Sequence, residues 1–118
     1  MSLERIMLRS KIHTCRVTDT QLTYEGSLML DEDLMDAADM VEYEKILVAN
    51  ITNGERFETY LIKGARGSGV VCLNGAAARY GVTGDKLVIF TFLQMKHDAN
   101  YHPTIIVCGE NNQIIQKK

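Results

Sequence analysis

Residues 45–62, with the sequence KILVANITNGERFETYLI, contain two β-strand patterns separated by a strong turn signal. The first pattern, residues 45–52, is rich in apolar and β-branched side chains, which favour strands. Asn53 and Gly54 follow, and both residue types tolerate the positive φ angles of a tight hairpin turn. In residues 56–62 apolar and polar side chains alternate, as they do when successive residues point to opposite faces of a strand. The segment therefore predicts a β-hairpin.

Similar short strand patterns continue on both sides of this hairpin, over residues 6–17, 22–30, 70–73, 86–95, 104–108 and 113–116. Residues 86–95 are mostly apolar on both faces, which predicts burial on both. Two short helices are predicted as well. One opens at Asp31-Glu32-Asp33, where acidic side chains suit the positive end of the helix dipole, and an Ala-rich one follows Asn74-Gly75. About eight short strands at this spacing predict an all-β domain closed into a small barrel.

The composition predicts one globular domain over residues 1–118, with 46% hydrophobic and 24% charged residues. A net charge of −2 leaves no basic excess for a phosphate backbone, which argues against nucleic acid as a partner. The longest apolar run, residues 87–93, is too short to span a membrane. Glu4 and Arg5 precede any apolar run, so no signal peptide is expected.

The three cysteines, Cys15, Cys72 and Cys108, are widely spaced and form no Cys-x-x-Cys pair. This pattern does not suit a disulfide scaffold and predicts a reducing, cytoplasmic location. Each cysteine has an apolar, β-branched sequence context, which predicts a buried and inert thiol.

The stretch Tyr24-Glu25-Gly26-Ser27 is a place where the chain could cut itself. The Ser27 hydroxyl lies beside the Gly26 carbonyl, and glycine lets the backbone adopt the strained shape that attack requires. A Gly-Ser pair alone is more often an ordinary turn. Here three other motifs accompany it, namely Lys11-Ile12-His13, residues 53–60 and Asn74-Gly75-Ala76-Ala77-Ala78.

In this order and at this spacing, the four motifs resemble the pyruvoyl-dependent aspartate 1-decarboxylases, from about Ile6 to the C-terminus. The resemblance implies a double-psi β-barrel, a homotetramer with its sites at subunit interfaces, and conversion of L-aspartate to β-alanine for pantothenate synthesis. It implies a precursor that cuts itself into residues 1–26 and 27–118. Ser27 would become a covalent pyruvoyl cofactor, with no metal and no pyridoxal phosphate. Whether maturation needs a helper protein stays open.

The resemblance also implies roles for individual residues. The pyruvoyl group made from Ser27 would form a Schiff base with aspartate, and Tyr60 would donate a proton. The Thr59 hydroxyl would stabilise the oxyanion formed at Gly26 during the cut. Processing would involve Gly26, Ser27, Thr59, Tyr24 and His13. Substrate contacts would come from Lys11, Arg56, Thr59, Asn74, Gly75, Ala76 and Ala77, and the pocket walls from Ile62 and Val88.

Arg56 and Lys11 suit a substrate with two carboxylates. The guanidinium of Arg56 presents a planar fork to one carboxylate, and the ammonium of Lys11 is a point charge for the other. Single cations of this kind are otherwise ordinary features of a strand surface. The remaining residues have structural explanations too: a turn serine, a packed histidine, amphipathic strand residues and the start of an Ala-rich helix.

Two other functions stay open at this point. The chain could be a small β-barrel binding module that never cleaves, with its hairpins presenting a surface to a ligand or partner. It could also be a hydrolase that uses an intact Ser27 as its nucleophile. Only the self-processing hypothesis predicts a break before residue 27 and a blocked new N-terminus.

Overall fold

The computed structural model describes residues 3–118, and this part of the chain contains nine β-strands, one α-helix and one 3-10 helix. The strands are β1 (Glu4–Arg16), β2 (Asp19–Gln21), β3 (Ser27–Asp31), β4 (Lys45–Asn50), β5 (Arg56–Gly64), β6 (Val71–Asn74), β7 (Lys86–Lys96), β8 (Thr104–Cys108) and β9 (Ile114–Lys117). The α-helix α1 covers Glu32–Ala37, and the 3-10 helix covers Gly75–Arg79.

The central hairpin has the structure that its turn residues predict. Strands β4 and β5 pair antiparallel, with Val48 opposite Phe57. Gly54 in the turn has a φ of +80°, a value that glycine adopts without steric cost. The terminal hairpin of β8 and β9 is also antiparallel, as predicted. Local turn chemistry therefore fixes the register of both hairpins.

The helix predicted at the acidic cluster is confirmed. The Asp31 side chain accepts a hydrogen bond from the Asp33 backbone N–H at 2.8 Å and so caps the first turn. Leu34 and Met35 are buried against the barrel. The helix predicted after Asn74-Gly75 is a 3-10 helix.

The strands form one mixed sheet in the order β2-β6-β3-β5-β4-β7-β1-β8-β9. Strands β1 and β2 stand far apart in this order, yet only residues 17 and 18 connect them. The sheet must therefore curl until its distant strands meet. Two backbone hydrogen bonds hold this closure, from Val17 N–H to the Asp85 carbonyl at 2.9 Å and from Thr18 N–H to the Val71 carbonyl at 2.8 Å. The all-β prediction is confirmed, and the curled mixed sheet is that expected of a double-psi β-barrel.

The barrel interior is filled by aliphatic side chains from most of the strands. Those with no exposed surface include Ile12, Leu28, Leu30, Leu61, Leu73, Leu87, Ile89 and Ile106. All three cysteines are buried and free, as their sequence contexts predict. Cys15 and Cys108 belong to the hydrophobic core cluster, and Cys72 does not. The members of this cluster on β6 are its neighbours Val71 and Leu73.

Two strand predictions are wrong in part. Residues 22–26 form a turn rather than a strand, because β2 ends at Gln21 and the Tyr24 N–H bonds back to the Gln21 carbonyl at 3.2 Å. Strand β7 is buried only in its first half. Beyond Phe90 it has no pairing with β4, so Phe92 is 44% exposed. None of the helices in the described residues is long and apolar enough to cross a membrane.

Candidate active site

The hydroxyl of Ser27 is held between two hydrogen-bond partners. Ser27 is the first residue of β3, is 2% exposed, and lies opposite Asn74 in the antiparallel pair of β3 and β6. The side-chain amide of Asn74 donates to Ser27 Oγ at 3.1 Å. Ser27 Oγ in turn donates to the Glu25 carbonyl at 3.3 Å. The side chain is thus oriented from both sides.

The turn before Ser27 packs directly on the residue after Asn74. Gly75 has a φ of +61°, and a Cβ placed on it would lie 2.5 Å from the Tyr24 carbonyl oxygen and 2.6 Å from the Gly26 nitrogen. Only glycine fits this position, because real Cβ atoms do not approach backbone so closely. A Cβ placed on Gly26 would lie 4.0 Å from the Ala76 nitrogen. The Gly26–Ser27 bond therefore lies beside the start of the 3-10 helix.

A cavity of about 370 Å³ opens in front of Ser27. Strand β5 contributes to it because β5 runs parallel to β3, with Leu61 opposite Leu28. This register places Tyr60 at the Ser27 end of the pair. The cavity is large enough for a molecule of amino-acid size. It is lined by Tyr24, Glu25, Ser27, Tyr43, Tyr60, Ile62 and Asn74.

Thr59 lies next to Tyr60 in sequence but on the other face of β5. Phe57 and Leu61, which share its face, are buried in the core, and Thr59 itself is half-buried. Thr59 is not one of the described residues that line the Ser27 cavity. Its assigned part in processing stays a prediction, as do the roles of the other site residues.

Gly75, Ala76 and Ala77 lie in the 3-10 helix, and four other predicted site residues form a second group on strands β1, β7 and β5. Strand pairing places His13 opposite Val88, Val88 opposite Ala49, and Ala49 opposite Arg56. Lys11 lies two residues from His13 on β1 and so shares its face. We call Lys11, His13, Val88 and Arg56 the cation row.

His13 in the cation row is affected by burial and by two nearby lysine charges. His13 Nδ1 is buried and has no hydrogen-bond partner among residues 3–118. Desolvation lowers the pKa of His13 below its usual 6.5, and the positive charges of Lys11 and Lys118 lower it further. The imidazole is therefore mainly neutral at pH 7. Arg56 is exposed to solvent.

Within one chain, the cation row and the Ser27 cavity are separate. Arg56 begins β5 and Tyr60 lies four residues further on, which places their Cα atoms roughly 13 Å apart at about 3.3 Å per residue. Neither Arg56 nor Lys11 lines the cavity as the described residues form it. Among the described residues of its lining, Glu25 is the acidic one, and none is Lys or Arg.

Two neighbours of Ser27 were missed by sequence reasoning. Tyr43 lines the cavity with its ring centroid 6.3 Å from that of Tyr60, and its φ is +71°. No sequence pattern predicts a tyrosine in that conformation. Cys72 donates from Sγ to Asn74 Oδ1 at 3.2 Å. Its position two residues before Asn74 on a predicted strand was a usable signal, since such residues share a face.

The described residues offer no obvious metal site. Among residues 3–118, no three or more His, Cys, Asp or Glu side chains are grouped so that they could hold a metal ion.

Comparison with known proteins identifies a matching family and similar sequences over nearly the whole chain. A sequence model of the family described as aspartate decarboxylase matches residues 3–115. A protein of Ralstonia nicotianae named aspartate 1-decarboxylase is 55% identical over 118 residues, covering 98% of each chain. Proteins with the same name from Heliobacterium modesticaldum and Shouchella clausii are 54% and 49% identical. They cover 96% and 95% of this chain, and 87% and 90% of their own lengths.

Proposed function

This chain belongs to the aspartate decarboxylase family, and from that premise we propose that it converts L-aspartate to β-alanine and carbon dioxide in pantothenate synthesis. The observation that best supports the proposal for this site is the position of the Ser27 hydroxyl. It is held by Asn74 and the Glu25 carbonyl immediately after Gly26, at the edge of a cavity of amino-acid size. The three free cysteines suit a cytoplasmic enzyme.

The first step is self-cleavage between Gly26 and Ser27. Ser27 Oγ attacks the Gly26 carbonyl carbon, the peptide C–N bond breaks, and an ester replaces it while the Ser27 nitrogen becomes an amine. Elimination then releases residues 1–26 as a carboxylate and leaves dehydroalanine at position 27. Water converts this to a pyruvoyl group with loss of ammonia. Placement of Oγ beside its target supplies much of the required acceleration.

The residues around Gly26 would assist this cut. Negative charge develops on the Gly26 carbonyl oxygen during attack, and nearby hydrogen-bond donors would stabilise it. We assign this task to the Thr59 hydroxyl and positioning of the turn to Tyr24 and Gly75, with His13 contributing from a neighbouring copy. The close packing of Gly75 on Gly26 supports a rigid turn.

A pyruvoyl group at position 27 supplies a ketone that can bind the substrate's amino group and accept the electrons left by departing carbon dioxide. Tyr60 shares the cavity with Ser27, and its phenol is placed to return a proton to the substrate. Ile62 forms part of the cavity wall, and Asn74, Gly75, Ala76 and Ala77 would hold the substrate from the other side. The small side chains there let backbone N–H groups approach.

We further propose that the cation row reaches the Ser27 cavity of a neighbouring copy, in the homotetramer that the family resemblance implies. Aspartate carries two carboxylates, and the described residues that line the cavity of one chain include no Lys or Arg. Arg56 and Lys11 would supply the missing positive charges, and Val88 a wall. Exposure of Arg56 suits a surface that another chain covers.

Intact mass measurement and a product assay test this function together. We expect purified protein to separate into residues 1–26 and residues 27–118, the larger one with a blocked N-terminus. It should form β-alanine from L-aspartate, with L-glutamate much poorer because its extra methylene displaces one carboxylate. An uncut chain without activity, after warming and after incubation with bacterial lysate to supply a helper, would overturn the proposal.

A further inference from the structure

Cys72 has no role in the chemistry above, yet it hydrogen-bonds Asn74, the residue that contacts the reacting serine. On β6 the side chains of Val71 and Leu73 enter the hydrophobic core cluster, and Cys72 and Asn74 share the opposite face. Cys72 is 5% exposed. Its burial therefore does not come from packing in the barrel core, unlike that of Cys15 and Cys108.

The thiol is the first link in a chain of two hydrogen bonds that ends on the nucleophile. Cys72 Sγ donates to Asn74 Oδ1 at 3.2 Å, and Asn74 Nδ2 donates to Ser27 Oγ at 3.1 Å. The two ends of an asparagine amide have opposite polarity, because one end is a donor and the other an acceptor. A donor that holds the Oδ1 end of the Asn74 amide therefore turns the Nδ2 end towards Ser27.

We propose that Cys72 is a positioning residue for self-cleavage, since its thiol holds the Asn74 amide with the N–H end towards Ser27 Oγ. This inference rests on the proposed function. As Oγ attacks the Gly26 carbonyl carbon it gives up its proton, which ends on the Ser27 nitrogen when the C–N bond breaks. An N–H group directed at Oγ stabilises the negative charge that develops there during attack. With the amide reversed, Asn74 Oδ1 would hold the serine proton and repel that charge.

The surroundings of the thiol support its part as the donor. Burial raises the pKa of Cys72, and the nearby charge of Asp19 raises it further. The thiol therefore keeps its hydrogen at neutral pH. A protonated sulfur can donate its hydrogen to a carbonyl oxygen, and it is only a weak acceptor for an N–H group. It therefore pairs with the carbonyl end of the amide.

The rate of cleavage of freshly purified precursor, followed by intact mass, tests the inference. Cys72→Ala and Cys72→Val remove the donor, and we expect both to slow cleavage about three- to tenfold, the range of one neutral hydrogen bond. Cys72→Ser keeps a donor and should restore the rate to within about twofold. Cys108→Ala is the matched control. It removes a buried thiol from the core and should cleave at the parent rate once folded.

A second arm separates positioning from packing. In an Asn74→Ala background the thiol has no amide to orient, so adding Cys72→Ala should cause no further slowing. Cleavage of Cys72→Ala or Cys72→Val at the parent rate would overturn the inference. So would Cys72→Ser as slow as Cys72→Ala, or full additivity with Asn74→Ala. Failure of the parent itself to cleave would instead overturn the proposed function.

Discussion

The Ser27 cavity and the cation row differ in how the fold builds them and in what they can do. The cavity lies beside the neighbouring strands β3, β5 and β6, and it holds a buried nucleophile near three tyrosines. The cation row crosses β1, β7, β4 and β5, and it carries positive charge on half-buried or exposed side chains. We propose that the first region cuts the chain and moves a proton and that the second recognises carboxylates. Because the two regions are separate within one chain, this proposal requires them to meet between chains.

Ser27→Ala should have the largest effect of any change in either region. It removes the nucleophile and the precursor of the cofactor, so the chain should stay whole and form no measurable β-alanine. A denaturing gel and a β-alanine assay on the same sample give both results. Cleavage of this variant at the same bond would mean that another group performs the cut.

Tyr60→Phe should separate turnover from cleavage within the cavity. The ring and its packing are kept and the phenolic proton is lost, so normal fragments should appear with little β-alanine. Hydroxylamine should still trap a carbonyl group at position 27. Thr59→Val is the matched variant on the opposite strand face, and it should slow cleavage instead. Parent-like turnover by Tyr60→Phe would show that tyrosine is not the proton donor.

Arg56→Ala should change the cation row and leave the cavity unaffected. The variant should cleave normally, because we assign Arg56 to carboxylate binding and not to the cut. A bidentate charged hydrogen bond contributes roughly 1.5–3 kcal/mol, so activity on aspartate should fall about ten- to hundredfold. Rates of cleavage and of β-alanine formation, measured on one preparation, distinguish the two effects. Equal turnover of aspartate and alanine by the parent would contradict the assignment.

The smallest expected effect is a titration shift at His13. The pKa of His13, measured as the midpoint of its NMR titration, should lie below 6.5. Lys11→Gln should raise this pKa, because one positive charge is removed. Since folding lowers this pKa, the unfolded chain binds the proton more tightly, and stability should fall as pH drops below about 6.5. His13→Gln should weaken that pH dependence. A midpoint unchanged by Lys11→Gln would mean that the row exerts no local potential.

Local patterns predicted the elements of this fold better than their assembly. Asn53-Gly54 fixes the central hairpin and Asp31 caps α1, since both effects depend on a few adjacent residues. The parallel pairings of β1 with β8 and β3 with β5 join distant segments, and no local pattern encodes them. The turn at residues 22–26 was missed for the same reason, because β2 is held by its pairing with β6.

The site could be predicted where a residue matched a family motif and not where tertiary contacts decide. Ser27, Tyr60 and Asn74 were identified by resemblance, and the structure brings them around one cavity. Tyr43 was missed because its conformation depends on a hydrogen bond from its N–H to the Leu61 carbonyl at 2.8 Å. Cys72 was interpreted as an inert thiol because its sequence context does not reveal which side of β6 meets the core.

Co-expression of two impaired variants tests most directly whether the Ser27 cavity and the cation row meet between chains. Ser27→Ala lacks the cofactor but keeps its cation row, and Arg56→Ala has the reverse defect. If the site forms between copies, mixed assemblies should recover activity well above the sum of the two variants. Ser27→Ala with Tyr60→Phe is the matched control, and it should not recover, because both residues line one cavity. No recovery by the first pair, in assemblies shown to be mixed, would contradict a shared site.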